Sequence, residues 1–334
     1  MSERLFYDCL RFLQQRDGAA IIPRGAILVA RPDAGRFDLV APAGPGLVLV
    51  SDPSAPAGVA WATINGLGPT PETTMTAAAD AYDLPETRRV VWSMLSVIET
   101  GKLPSPEARG TVAILKDRAG ISYGQHQATD AGGTLDAICV DYVAVGGRFA
   151  AEIQAAIPRL AANETARASS LETAEPWVRE LATALRRAGL EDPKMAEVQD
   201  AVFARRYWSP AVLEARALGL RENLSLAVLY DSQVQSGPSG SSRIRPLFAA
   251  RPPSSGGDER AWTTAYVAAR LAWLEGFRST KTDPDPRTQA RIRADHESAV
   301  HTSAYRMRWF SAVVAAGNWS LACPLKFGPA TVPA

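Results

Sequence analysis

Two carboxylates lying eighteen residues apart have the surroundings that acid and base chemistry needs. Glu99 closes the segment LPETRRVVWSMLSVIETG just before Gly101, and Asp117 sits in the charged turn Lys116-Asp117-Arg118. A carboxylate in the last turn of a helix faces the negative end of the macrodipole, and apolar neighbours such as Val97 and Ile98 strip water from it. Both effects raise its pKa, which is what a general acid working near neutrality requires. Asp117, in a polar turn between two cations, stays ionised more readily. Two carboxyl groups with environments pushed apart suit hydrolysis of a glycosidic bond, one protonating the leaving oxygen and the other activating water. The bland alternative is two solvated carboxylates among the 35 acidic residues of the chain.

The stretch AILKDRAGISYGQHQAT, residues 113–129, frames Asp117. An apolar run stops at the charged turn, passes Ala119-Gly120 and re-enters an extended segment carrying Ser122, Tyr123, Gln125, His126 and Gln127. A strand built only for packing would favour Val, Ile and Leu. The polar hairpin therefore reads as the floor of a cleft in which Tyr123, Gln125, His126 and Gln127 bind substrate. Either the set 122, 124, 126 or the set 123, 125, 127 faces that cleft, since a one-residue slip exchanges the faces. His126 reads as a sugar hydrogen-bonder or a structural donor rather than a base. Trp208, Trp262, Trp273 and Trp319 read as core.

The elements that must position these residues follow from periodicity. Leu84, Val91, Met94, Leu95 and Ile98 share a helical face, with Pro85 suited to the first turn and Gly101 to the C-cap. Further helices are expected over 134–145, 148–162, 171–188, 193–206, 209–218, 223–235, 258–277 and 285–316, with a long Gly/Pro/Ser loop over 237–257. The first part of the chain differs. After an expected amphipathic helix over 4–15, the runs AAII, GAILVA, RFDLVAP, GLVLVS and VAWATI alternate with turn-forming PRG, PDAG, AGPG and DPSAPAG. The expected organisation is a small β-rich module over 1–70, a linker over 71–84 and a mainly α (α+β) catalytic domain over 85–334.

Composition narrows the function. The chain has 334 residues and a net charge of +1, which argues against wholesale binding of nucleic acid or an anionic membrane. Three widely spaced cysteines, Cys9, Cys139 and Cys323, and three histidines give no metal-ligand cluster, so no metal and no cofactor are expected. The charged N-terminus MSERLFYDCLRFLQQRDG lacks the apolar core of a signal peptide, and no run is long enough to span a membrane. The expectation is a soluble protein made in the cytoplasm, without membrane insertion, that reaches a cell wall or periplasm by non-classical release or as a virion component.

The pattern E99-x17-D117-x4-S122, with a Gly-containing turn before Ser122, resembles the active-site segment of the family 46 glycoside hydrolases, the chitosanases, within the lysozyme-like superfamily. GGTLDAI (132–138), YWSPAVLEARALGL (207–220), LAVLYDSQVQSGPSG (226–240), AYVAARLAWLEGF (265–277) and AAGNWSL followed by PLKF (315–327) are similar to further segments of that family, in the same order. The resemblance implies a two-lobed helical domain with a catalytic β-hairpin. It also implies Glu99 as general acid, Asp117 as general base, Ser122 helping to hold the attacking water where the family usually has Thr, and Asp136 contacting sugar. It further implies a buried ionic network of Asp231, Arg270 and Arg287 that orients the catalytic groups, although the acidic residue that follows the buried Arg in the family falls near Phe277, with Glu275 as an approximate substitute. An ordinary structural ion pair is the alternative for Asp231 and Arg270.

These expectations converge on an inverting glycosidase acting on a β-1,4-linked amino-sugar polymer. The lack of a signal peptide and the extra β module place peptidoglycan first as substrate and chitosan second. A non-catalytic wall-binding or phage-tail protein that kept the fold is the rival reading. In a third, the N-terminal module docks the enzyme onto a phage tail, baseplate or secretion apparatus.

Overall fold

The computed structural model describes residues 27–31, 36–40, 48–51, 62–65, 82, 84–114, 119–168, 170–237, 240–280 and 282–334. The expected helix over 4–15, the AAII run, nearly all of the expected linker and Asp117 lie outside these residues. The chain divides into two compact units, Met1–Thr76 and Ala77–Ala334.

In the first unit, four of the β-rich runs form strands. β1 (Ile27–Arg31) pairs antiparallel with β2 (Arg36–Val40), with Ile27 opposite Val40 and Arg31 opposite Arg36. β3 (Val48–Ser51) pairs antiparallel with β4 (Ala62–Asn65), with Val48 opposite Asn65.

The second unit is helix-rich. Its first long helix, α1 (Pro85–Thr100), starts on Pro85, whose fixed φ suits the first turn, and stops at Gly101 in the left-handed region at φ 71°. The Gly101 N–H closes the helix on the Val97 carbonyl at 2.9 Å. From Val90 to Ile98 every residue is buried. The amphipathic face expected from the sequence is thus too narrow, because α1 runs through the core instead of lying on it. A short α2 (Pro106–Arg109), capped by the Ser105 side chain, leads into the hairpin. β5 (Val112–Ile114), β6 (Ile121–Tyr123) and β7 (Ala128–Thr129) form an antiparallel sheet in that order, Ser122 lying opposite Ala113 on one side and Thr129 on the other.

The remaining helices are α3 (Thr134–Ala144), α4 (Ala150–Gln154), α5 (Ile157–Ala161), α6 (Pro176–Glu191), α7 (Pro193–Phe203), α8 (Ser209–Ala217), α9 (Asn223–Ser236), α10 (Gly240–Ile244), α11 (Glu259–Glu275), α12 (Pro286–Thr302) and α13 (Tyr305–Ala315). Three departures from the periodicity reading concern how the helices join. A π-helical turn, Ala204–Trp208, carries the chain from α7 into α8 without a break. Within the expected Gly/Pro/Ser loop, residues 240–244 form α10. The single helix expected over 285–316 breaks at Ser303-Ala304, because α13 has a buried stripe of Arg306, Met307, Phe310 and Val313 whereas α12 buries no residue. The closing hairpin of β8 (Leu325–Phe327) and β9 (Ala330–Val332), which buries Leu325, Phe327 and Val332, was not anticipated.

Of the tryptophans read as core, Trp208 and Trp262 are buried, while Trp273 and Trp319 pack at its margin.

Candidate active site

Glu99 occupies the last turn of α1, and its side chain keeps 15% of its exposure. One carboxylate oxygen accepts a hydrogen bond from the Arg306 guanidinium at 3.0 Å. Another arm of Arg306 donates to Asp231 Oδ1 at 2.9 Å, and Arg270 donates to the second oxygen of Asp231 at 2.5 Å. Asp231, Arg270 and Arg306 have side-chain exposures of 2%, 1% and 5%. Arg270 also donates to Gln235 Oε1 at 2.5 Å, and Gln235 Nε2 donates to the Ser303 hydroxyl at 2.5 Å. Four helices therefore converge on one carboxyl group: α1 carries it, α9 supplies Asp231 and Gln235, α11 supplies Arg270, and α13 supplies Arg306.

The electrostatics follow from this arrangement. Burial pushes the Glu99 pKa above the ordinary carboxylate value, Arg306 pulls it back down, and the Asp231 charge pushes it up again. The net direction is upward, so the proton is held longer than on a solvated glutamate. Burial disfavours the Arg306 charge, but Asp231 and Glu99 more than offset that, and its pKa rises. Sinking two guanidinium groups and a carboxylate costs several kcal/mol per ion before pairing, so such a cluster is poorly explained by stability alone.

The structure brings Glu99, Asp231 and Arg270 together as the resemblance implied. It does not bring Arg287 to them: that residue lies exposed in the first turn of α12, and Arg306 takes the third place. The signal for Arg306 was present in its spacing with Met307, Phe310 and Val313, which puts a guanidinium on the apolar stripe of a helix. A cation at such a position needs a buried anion.

The hairpin differs more from its expected role. Tyr123 is fully buried and donates its hydroxyl to the Leu185 carbonyl at 2.8 Å. His126 is buried edge-on between Trp92 and Phe203, with ring centroids at 5.5 and 4.8 Å, and its Nε2 lies 3.4 Å from the Trp92 carbonyl. Desolvation lowers its pKa to about 3, so it is neither a base nor a cation at neutral pH. Gln125 is buried, with no hydrogen-bond partner for either end of its amide among the described residues. Gln127 is half-buried in the left-handed region at φ 52° and donates to the Gly124 carbonyl at 3.0 Å. The expectation of one set of side chains facing a cleft is thus corrected. Tyr123, Gln125 and His126 from the two alternating sets are all buried, because the strand ends at Tyr123 and the chain turns over Gly124–Gln127, so strand alternation does not extend to residues 125 and 126. Ser122 is buried at the centre of the three strands, and Asp136 is half-buried in the first turn of α3. Asp117 lies outside the described residues. Among the described residues no group of three or more His, Cys, Asp or Glu side chains could hold a metal ion, and no helix is long and apolar enough to cross a membrane.

A helix-rich unit that buries a carboxyl group against an Arg–Asp–Arg chain presents a positioned carboxylic acid of the kind that acid–base hydrolysis of a glycosidic bond requires. Comparison with known proteins bears this out: the model of glycosyl hydrolase family 46 matches residues 153–325, and the chain belongs to that family. The matched segment carries Asp231, Arg270 and Arg306; Glu99 lies before it. The chain is 27% identical over 224 residues to a chitosanase from Streptomyces sp. (strain N174), covering 65% of this chain and 77% of that protein. The native chitosanase of Bacillus subtilis MY002 superposes with a TM-score of 0.60 at 21% identity, over 73% of this chain and 96% of that one. A family 46 chitosanase from Gynuella sunshinyii, solved with chitotetraose, gives a TM-score of 0.57 at 21% identity, over 74% and 95% of the two chains. The protein is a glycosidase.

Proposed function

We propose that the protein hydrolyses chitosan, the β-1,4-linked polymer of glucosamine, with inversion at the anomeric carbon. Glu99 protonates the departing glycosidic oxygen, and Asp117 with Ser122 activates a water on the opposite face of the sugar. The observation that carries this reading is the Glu99 carboxyl, buried at a helix C-terminus with its pKa raised and fixed at 3.0 Å by Arg306. A general acid must hold its proton at working pH and must not swing away from the bond it protonates. Asp231 and Arg270 act through Arg306 and do not touch the substrate. Chitosan takes precedence over peptidoglycan, the polymer placed first on sequence, because the relatives compared above are chitosanases, one of them solved with chitotetraose.

Product analysis tests the reading. The full chain is incubated with N-deacetylated chitosan and with purified peptidoglycan, soluble fragments are identified by mass, and the anomer first released is read by proton NMR. Glucosamine oligomers released as the α-anomer are expected. Muropeptides in their place would return the reading to peptidoglycan, and no turnover of either polymer would favour the wall-binding or tail-protein alternative.

A further inference from the structure

The carbonyls of the last turn of a helix have no donor within the helix, and the turn frays unless something else supplies one. In α1 that turn carries Glu99. The Val97 carbonyl is served locally, by the Gly101 N–H at 2.9 Å. The Ile98 carbonyl is served from across the fold: the Tyr305 hydroxyl donates to it at 2.5 Å. Tyr305 is the first residue of α13, next to Arg306, and its half-buried ring packs against Trp309 with centroids 4.7 Å apart. Two residues earlier, Ser303 accepts from Gln235, which in turn accepts from Arg270. The break between α12 and α13 therefore presents a tripod. Ser303 is tied to α9, Tyr305 to the backbone of α1, and Arg306 to the Glu99 carboxylate itself.

We propose that Tyr305 is a positioning residue for the general acid, its hydroxyl pinning the last turn of α1 so that the Glu99 carboxyl stays against Arg306. The proposal rests on the reading of Glu99 as acid given above. The side-chain contact of Arg306 holds the carboxyl group but not the peptide that carries it, and a carboxylate on a fraying turn can follow its partner through several rotamers. A second anchor on the adjacent peptide removes that freedom. Among the described residues, the charged and titratable groups facing Glu99 are Arg306 and Tyr305 from α13, Asp231 and Tyr230 from α9, and Arg270 from α11. Loss of the anchor opens the Glu99 carboxyl to water, and burial is the main cause of its raised pKa.

Tyr305→Phe deletes the hydroxyl and keeps the ring on Trp309. In the full chain labelled with carboxyl-13C glutamate, with Glu99→Gln supplying the assignment, the Glu99 titration is expected to move to lower pH. On a chitosan oligomer the descending limb of the kcat–pH profile should move with it. At the optimum, kcat should fall about ten- to a hundredfold while KM changes little, as for a misplaced rather than missing group. Tyr305→Leu removes the stack as well; the limb should move as far as in Tyr305→Phe while Tm falls further. An unmoved titration and limb in Tyr305→Phe, or a limb that moves only in Tyr305→Leu, overturns the proposal and leaves Tyr305 as packing. These outcomes are distinct from failure of the acid assignment, which shows as wild-type turnover by Glu99→Gln.

Discussion

Glu99 and Arg306 pull against burial in opposite ways. The carboxyl is disfavoured as an anion by desolvation, and the guanidinium is kept charged by two carboxylates. For Glu99 the folded-state pKa exceeds the unfolded one, so its contribution to stability is fully present below about pH 4 and is lost as pH rises through the folded value. Glu99→Gln, which cannot ionise, should therefore raise Tm at about pH 8 and leave it unchanged at about pH 3, as calorimetry at the two pH values will show. Arg306→Ala is the opposite case. It strands Glu99 and removes one of the two cations on Asp231, and breaking a buried pair in this way costs about 3–5 kcal/mol. Denaturant titration should show that loss, and turnover should fall with it. His126 gives a third test. Its folded pKa is depressed to about 3, so its contribution is present above about pH 6.5 and disappears as pH falls towards 3. His126→Phe, which stays neutral, should flatten the acid side of the stability–pH curve, where a neutral buried His costs up to about 1.4 kcal/mol per pH unit.

At the scale of elements, several helix ends were legible where punctuation residues set them, though the helix expected over 171–188 starts at Pro176 and runs to Glu191. Pro85 and Gly101 bound α1, Pro193 starts α7, and Asp258 caps α11 with its side chain on the Ala261 N–H. What periodicity could not supply was which elements lie inside. The hairpin around residues 121–127 was read as a cleft floor because its residues are polar, yet Tyr123 finds the Leu185 carbonyl and His126 the Trp92 carbonyl inside the protein. A polar side chain reads the same in sequence whether its partner is solvent, sugar or a backbone group more than thirty residues away. The break at Ser303-Ala304 was hidden for a related reason: an unbroken helical pattern does not record that only its second half carries fully buried residues. Gly124 marks where the hairpin depends on backbone freedom. It sits at φ 77°, and a Cβ there would lie 2.6 Å from Gln199 Oε1. Gly124→Ala should destabilise by about 1–2 kcal/mol from the left-handed backbone alone, measurable as a lower denaturation midpoint.

For the whole molecule, the α-rich class and the reaction class were readable from sequence because the second unit, Ala77–Ala334, carries most of the family's ordered motifs in one continuous stretch. The polymer was not, because net charge and the character of the first residues do not record which sugar a cleft grips. The role of the β-rich first unit is a separate proposal: as a docking module it is dispensable for chemistry, so deleting residues 1–70 should leave chitosan turnover unchanged. The central claim is that Glu99 donates the proton that breaks the glycosidic bond, with Asp117 activating the water. It is tested most directly by the turnover of N-deacetylated chitosan by wild type, Glu99→Gln and Asp117→Asn at matched folded concentration. Loss of about a hundredfold or more in kcat for each substitution, with both variants still folded, is the expected result. Turnover by either variant within a few fold of wild type would contradict it.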